Sequence, residues 1–179
     1  MNFAKPRVFA SRCLGFAVCR WNGLTIRDDF VEELKPHVEY VTACPEVEVG
    51  LGVPRDPIRI VAKGAALRLV QPASGKDVSA AMTDFAKRFL GSIGDIDGFI
   101  LKDRSPSCGV DNVKVYPGPG PSASVARAHG FFGDEVMKRF GDLPVETEGR
   151  LTNYRIREHF LSRIFAFADF RRVKKAKKM

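Results

Sequence analysis

Cysteines at positions 13, 19, 44 and 108 hold most of the reactive potential of this 179-residue chain. Thiolates are soft donors, suited to metals and to nucleophilic chemistry. No two of them form a C-x-x-C pair, so zinc-ribbon and common ferredoxin spacings do not fit. Cys13, Cys44 and Cys108 share a setting, since each ends or closely follows a strand-like segment. In a parallel sheet those strand ends lie on one edge, where open α/β sheets bind ligands. Three thiols distant in sequence could therefore converge on a shared metal. Cys19 lies six residues after Cys13, in the same loop. Taken singly, any of these thiols could equally serve as a small buried hydrophobe. Glu46 follows Cys44 by two residues, where a carboxylate could take or deliver a proton near a bound substrate. Ser105 and Ser107 flank Pro106 just before Cys108 and offer hydroxyls to orient a substrate or water. For each of these side chains, a solvated loop or turn-forming role is the alternative. His37, His129 and His159 fall in helix-like segments without ligand spacing and are expected to bind no metal.

Strand-like and helix-like segments alternate to position these residues. Residues 7–13 read as a buried strand, and Asp28 or Asp29 can cap a helix that runs to about Lys35 and stops at Pro36. A strand over 38–43 leads into an irregular stretch, 44–57, rich in proline and glycine. Residues 58–62 and 66–70 suit a hairpin around Lys63-Gly64. Asp77 heads a helix over 78–93, with Met82, Phe85, Phe89 and Leu90 at helical spacing. Strands are expected at 98–102 and 113–116, with the Cys108 loop between them. Ser122 or Ser124 is the expected cap of a helix through the Phe131 region. A last helix over 153–172 places Ile156, Phe160, Ile164, Phe167 and Val173 on one side. This order predicts an α/β fold: a mainly parallel sheet with helices on both faces, and a metal site at the C-terminal edge of its strands.

Composition agrees with a single soluble domain: 45% of residues are hydrophobic and 28% charged. Disorder, collagen-like repeats and coiled coil are excluded for the bulk of the chain. The apolar run 14–18 has five residues, far below the roughly 20 that span a bilayer, so no membrane association is expected. Cysteines without an export signal predict a reducing, cytoplasmic setting. The net charge of +8 is concentrated at one end. Arg171, Arg172, Lys174, Lys175, Lys177 and Lys178 fall in the last nine residues, leaving 23 basic against 21 acidic residues elsewhere. Two roles stand open for this segment: a solubilising tail, or an electrostatic arm for the phosphates of an RNA.

Beyond these patterns, three blocks resemble the thiouracil desulfidase (TudS-like) family: Cys13-Leu14-Gly15, CPEVEVGLGVPRDPIRIV at 44–61, and DGFILKDRSPSCG at 97–109. The resemblance implies a [4Fe-4S] cluster held by Cys13, Cys44 and Cys108, with Glu46 as catalytic carboxylate and Ser105 as catalytic serine. Cys19 falls where the family supplies no ligand. The implied reaction is a hydrolytic, non-redox removal of sulfur from a thiolated pyrimidine, releasing hydrosulfide. Thiouracil is the implied substrate, or 4-thiouridine, free or in tRNA. The stretch 145–160 resembles the longer, RNA-directed subgroup, in which a second domain usually follows; here the basic segment follows instead. The resulting expectation is an iron–sulfur desulfidase domain over 1–170 and a basic tail over 171–179. Its partners would be a small thiolated base or nucleoside and, through the tail, tRNA. The competing expectation is a non-catalytic module in which all four cysteines bind a structural zinc and the tail binds RNA.

Overall fold

Val8 and Ala10 face one side of the first strand and Phe9 the other, and all three are fully buried. A strand apolar on both faces must lie inside a sheet covered twice. The computed structural model describes residues 4–177 and places that strand, β1 (Arg7–Ser11), at the centre. The chain continues through α1 (Asp29–Leu34), β2 (Glu39–Ala43), α2 (Pro45–Glu48), β3 (Arg59–Lys63), β4 (Ala66–Gln71) and β5 (Lys76–Asp77). Then follow α3 (Ser79–Ser92), β6 (Gly98–Leu101), β7 (Val113–Tyr116), β8 (Ala126–Ala128), α4 (Phe131–Phe140) and β9 (Val145–Thr147). A 3₁₀ turn (Arg150–Thr152) leads into α5 (Tyr154–Ala176).

The first sheet has the order β2-β1-β6-β9, and every pairing in it is parallel. Helices α3 and α4 cover one face, where Leu90, Phe132 and Val136 meet Phe9 and Phe99. Helices α1 and α5 cover the other, where Val31, Phe160 and Ile164 meet Val8 and Ile100. The expected α/β fold with helices on both faces is thus present.

The expectation of one mainly parallel sheet needs correction. A second sheet, ordered β5-β4-β3-β7-β8, is mixed; among its pairs only β3 and β7 run parallel. The reason is local. The turn after Lys63 carries Gly64 at φ +61°, and so short a connection can only return the chain antiparallel. The hairpin itself matches the sequence reading. Met82 of α3 packs with Ile60, Leu69 and Val115 of this second sheet, so one helix serves both layers.

Several boundaries also move. The first strand ends at Ser11, so Cys13 lies in the following turn and not at the strand end. The helix expected from Ser122 or Ser124 is absent; those residues precede β8, and α4 begins only after Gly130. Asp28 caps α1 as expected, its carboxylate accepting from the Val31 amide at 2.9 Å. His37 and His129 lie in loops and only His159 is helical, on the exposed side of α5. Val173, expected on the apolar side of the last helix, is exposed.

The described part of the charged end is helical and partly paired. Helix α5 passes through position 170 without a break and continues to Ala176, while Lys178 lies outside the described residues. Arg171 donates Nε and Nη2 to the two carboxylate oxygens of Asp97, at 3.1 and 2.7 Å, and Lys175 pairs with Asp95 at 2.7 Å. Asp97 immediately precedes β6, so this end of α5 is pinned to the N-terminal edge of the parallel sheet. Among the described residues, no helix is long and apolar enough to cross a membrane.

The Asp97 side chain is only 2% exposed, whereas Arg171 is a quarter exposed. Arg171→Ala is therefore expected to lower the unfolding free energy by about 2 kcal/mol, below the roughly 3–5 typical of a fully buried pair. Exposed Lys174→Ala should move it by less than about 0.5 kcal/mol. Urea titrations of both variants check the difference. Because Arg171 and Lys175 pair with Asp97 and Asp95, deleting residues 171–179 is expected to disturb the fold as well as the charge.

Candidate active site

Three loops leave neighbouring strands of the parallel sheet at its C-terminal edge. After β1 comes the turn with Cys13 and Cys19; Cys44 directly follows β2; the segment 102–109 follows β6 and carries Ser105, Ser107 and Cys108. Because the strand order is β2-β1-β6, the three loops are adjacent in space. They enclose one cavity of about 320 Å³. Cys13, Cys44, Cys108, Glu46 and Ser105 all line it, and so does Cys19.

None of the four thiols is in a disulfide. The Cys19 thiol is hydrogen-bonded to the side chain of Cys13, which with burial raises its pKa to about 11 despite an opposing hydrogen bond with Cys44. The same bond to Cys19, together with burial, pushes the Cys44 thiol up. Burial alone dominates at Cys108, whose pKa is also raised. Among the described residues, no group of three or more His, Cys, Asp or Glu side chains is arranged to hold a single metal ion. Cys13, Cys44 and Cys108 line the same cavity, and soft thiolates are the donors that an iron–sulfur cluster takes. The residues present thus fit such a cluster.

Glu46 sits in the first turn of α2, whose start is fixed by Pro45 at its first position. Its carboxylate is held at both oxygens. Ser107 donates its hydroxyl to Oε1 at 2.8 Å. Arg55 donates to Oε2 from Nε at 2.9 Å and from Nη2 at 2.7 Å. The Arg55 side chain is only 4% exposed and that of Glu46 13%. The remaining guanidinium nitrogen, Nη1, donates to the carbonyls of Cys19 and Gly52, at 3.1 and 2.8 Å. Thus one buried cation joins α2, the Cys19 turn and the 50–55 segment. Sequence reasoning missed Arg55, although it lies within the 44–61 block; nothing in the order of residues says that it returns to Glu46.

Ser105 is positioned differently from Ser107. Its hydroxyl oxygen accepts from the amides of Ser107 and Cys108, at 3.2 and 3.1 Å. A hydroxyl with both acceptor positions used still has its own proton to donate. The loop is clamped from behind by the start of α4. The amides of Phe131, Phe132 and Gly133 donate to the carbonyls of Pro106 and Ser107 at 2.8–3.1 Å, which satisfies helix-start donors that lack intrahelical partners. Such contact requires glycine. A Cβ on Gly130 would stand 2.5 Å from the Ser107 carbonyl oxygen, and one on Gly133 would stand 2.4 Å from that of Gly109.

Lys102 also reaches the cavity, from the end of β6. Its ammonium pairs with Glu148, just after β9, and donates to the Asp103 carbonyl at 3.1 Å. Glu148 in turn accepts from the Asp103 amide at 2.6 Å. Part of the 145–160 block thus supports this loop from the neighbouring strand. Sequence analysis also missed Ser11, whose hydroxyl accepts from the Lys102 amide at 3.0 Å and bonds the side chain of Cys108. None of the three histidines lines the cavity.

A parallel sheet with a cysteine-lined cavity at its C-terminal edge, beside a buried carboxylate, places the site where open α/β folds bind their ligands. Residues 8–148 match the 2-thiouracil desulfurase family, and the chain belongs to that family. It is 30% identical over 140 residues to the uncharacterized protein YbbK of Bacillus subtilis (strain 168), a match covering 69% of this chain and 91% of that protein. Its fold is similar to that of a solved [4Fe-4S]-dependent thiouracil desulfidase, TudS, with a TM-score of 0.61 and 28% identity, covering 83% of this chain and 94% of the other.

Breaking a buried pair leaves an uncompensated charge, whereas removing both members does not. Arg55→Ala is expected to cost about 3 kcal/mol of stability. The Glu46→Ala/Arg55→Ala double variant should be more stable than Arg55→Ala by about 1 kcal/mol or more. A thermodynamic cycle from denaturant unfolding measures this coupling.

Proposed function

We propose that this protein is an iron–sulfur desulfidase that hydrolyses the C–S bond of a small thiolated pyrimidine. The observation that carries the reading is the meeting of Cys13, Cys44 and Cys108 with Glu46 and Ser105 around one cavity. Family membership and the likeness to a [4Fe-4S]-dependent thiouracil desulfidase support it. In this reading Cys13, Cys44 and Cys108 hold a [4Fe-4S] cluster and Cys19 remains a non-ligand thiol. When bound, such a cluster supplies an iron without a protein ligand, a soft Lewis acid for a thiocarbonyl sulfur.

The chain's own residues supply the proton chemistry. Glu46 accepts a proton from the attacking water at Oε1, because Oε2 is committed to the Arg55 guanidinium. Ser107 shares Oε1 and sets the carboxylate's orientation. Ser105, with its oxygen already accepting two amides, donates its proton towards the reacting group. Overall a thiocarbonyl and water become a carbonyl and hydrogen sulfide, with no change in oxidation state.

The substrate is thiouracil or 4-thiouridine. A cavity of about 320 Å³ lies at the low end of the roughly 300–1,000 Å³ of small-molecule sites, which supports the free base or nucleoside. tRNA, expected to bind through residues 171–179, draws less support from them, since Arg171 and Lys175 are paired at the sheet's opposite edge.

Replacing a soft thiolate by a hydroxyl removes a ligand. Cys13→Ser, Cys44→Ser and Cys108→Ser are each expected to lose bound iron, the brown colour of anaerobically purified protein, and turnover of thiouracil. Cys19→Ser should keep all three. Iron retained in any of the first three variants, or lost in Cys19→Ser, refutes this ligand set. Glu46→Ala and Ser105→Ala should keep the iron but lose about 10²–10⁴-fold in rate, as measured by uracil formation.

A further inference from the structure

The cavity has one large apolar wall that no part of the fold uses. Trp21, the only tryptophan in the chain, lines it and is 46% exposed, belonging to none of the three buried clusters. Singly exposed hydrophobic residues are common and require no explanation of their own. Trp21 differs because its backbone is fixed while its ring is left open. Its carbonyl accepts from the Arg55 amide at 2.8 Å. The turn around it is closed by Gly23 N to Arg20 O at 3.0 Å and by Arg20 N to Leu24 O at 3.1 Å. Gly23 takes φ +71°, which the reversal requires. The same arginine that orients Glu46 therefore also fixes the position of Trp21.

We infer that Trp21 is the stacking platform for the substrate's pyrimidine ring and sets the preference for a flat, conjugated substrate. This inference rests on the desulfidase reading above. The polar groups of the cavity, among them Glu46, Ser105 and Lys102, can address the edge of a planar heterocycle, and Trp21 is the one aromatic side chain among the residues that line it. An indole offers an extended face for the heterocycle's π-surface. Stacking tolerates any base because every base has a π-face, so this wall gives affinity for the ring while the polar groups read its substituents.

As the only tryptophan, Trp21 reports its own occupancy. Cluster-loaded wild-type protein is titrated with uracil, the product of the proposed reaction, and indole emission is followed. A saturable change is expected, with the midpoint equal to uracil's inhibition constant against thiouracil turnover. Trp21→Ala should weaken uracil inhibition and raise KM about ten- to hundredfold, with kcat much less affected and iron content unchanged. Trp21→Phe, which keeps a smaller π-face, should recover most of that loss, whereas Trp21→Leu, apolar but not aromatic, should not. Emission that ignores saturating uracil, or equal inhibition constants in wild type and Trp21→Ala, overturns the inference while leaving the desulfidase reading intact. An iron-loaded wild type that neither turns over thiouracil nor binds uracil overturns both. Should Trp21→Ala lose its iron, the wild-type emission titration and the Phe–Leu comparison still decide the matter.

Discussion

The Glu46–Arg55 pair is the constraint on which the site depends. Each member is buried, and taking two charges out of water costs several kcal/mol per ion unless geometry returns it. Here the return requires every donor in place: two guanidinium nitrogens on Oε2, the third on two carbonyls, and Ser107 on Oε1. An interaction that is favourable only in one arrangement gives specificity more than stability. A shift of the Cys19 turn, of α2 or of the Ser107 loop would strand part of the network. The thiols, the carboxylate and the hydroxyls are thereby held in mutual register even though three separate loops supply them.

The parallel sheet gives that network its setting and separates two kinds of chemistry. At its C-terminal edge lie the soft sulfur donors. At its N-terminal edge lies a charged lock in which Asp97 accepts from the Arg7 amide and from Arg171, while Arg7 donates to the carbonyls of Ile93 and Asp95. Two of the cations near the end of the sequence, Arg171 and Lys175, join this lock by pairing with Asp97 and Asp95 near the start of β6. Charge counted along a chain says nothing about which charges find partners, so the pairing of Arg171 and Lys175 was not visible in composition.

The legible parts of the sequence were those fixed locally. The apolar β1, the Asp28-capped α1, the hairpin at Gly64 and the helix from Ser79 follow from short-range pattern, capping and turn chemistry. The convergence of Cys13, Cys44 and Cys108 was also legible, because strand-end positions imply a shared edge once the sheet is parallel. Less was visible where the determinant is a long-range contact. Strand β9 has three residues and no periodicity to betray it; pairing with β6 defines it. The start of α4 is set by close contact of Gly130 and Gly133 with the Ser105–Gly109 loop, whereas glycine in sequence argues against a helix. Cys19 was expected to be a non-ligand thiol, and the sequence did not show that the Cys44 thiol would reach its carbonyl, at 3.5 Å.

The second sheet, also unforeseen, has a part in the site although it contributes no sulfur to it. Arg55 lies where the chain leaves α2 for β3, in a proline- and glycine-rich stretch with little regular structure of its own. A segment of that kind is a poor place from which to orient a guanidinium, unless its far end is anchored. The anchor is next to Arg55: the Asp56 carbonyl accepts from the buried Gln71 side chain at 2.9 Å, and Gln71 ends β4, the hairpin partner of β3. Ile58 and Ile60 then bury the following residues against Leu69 and Val115. The mixed sheet thus anchors Asp56, directly after Arg55, while Glu46, Cys19 and Trp21 hold Arg55 itself. A small antiparallel hairpin, stable through local turn chemistry and its own apolar cluster, in this way fixes the geometry of a carboxylate located on the edge of a different sheet.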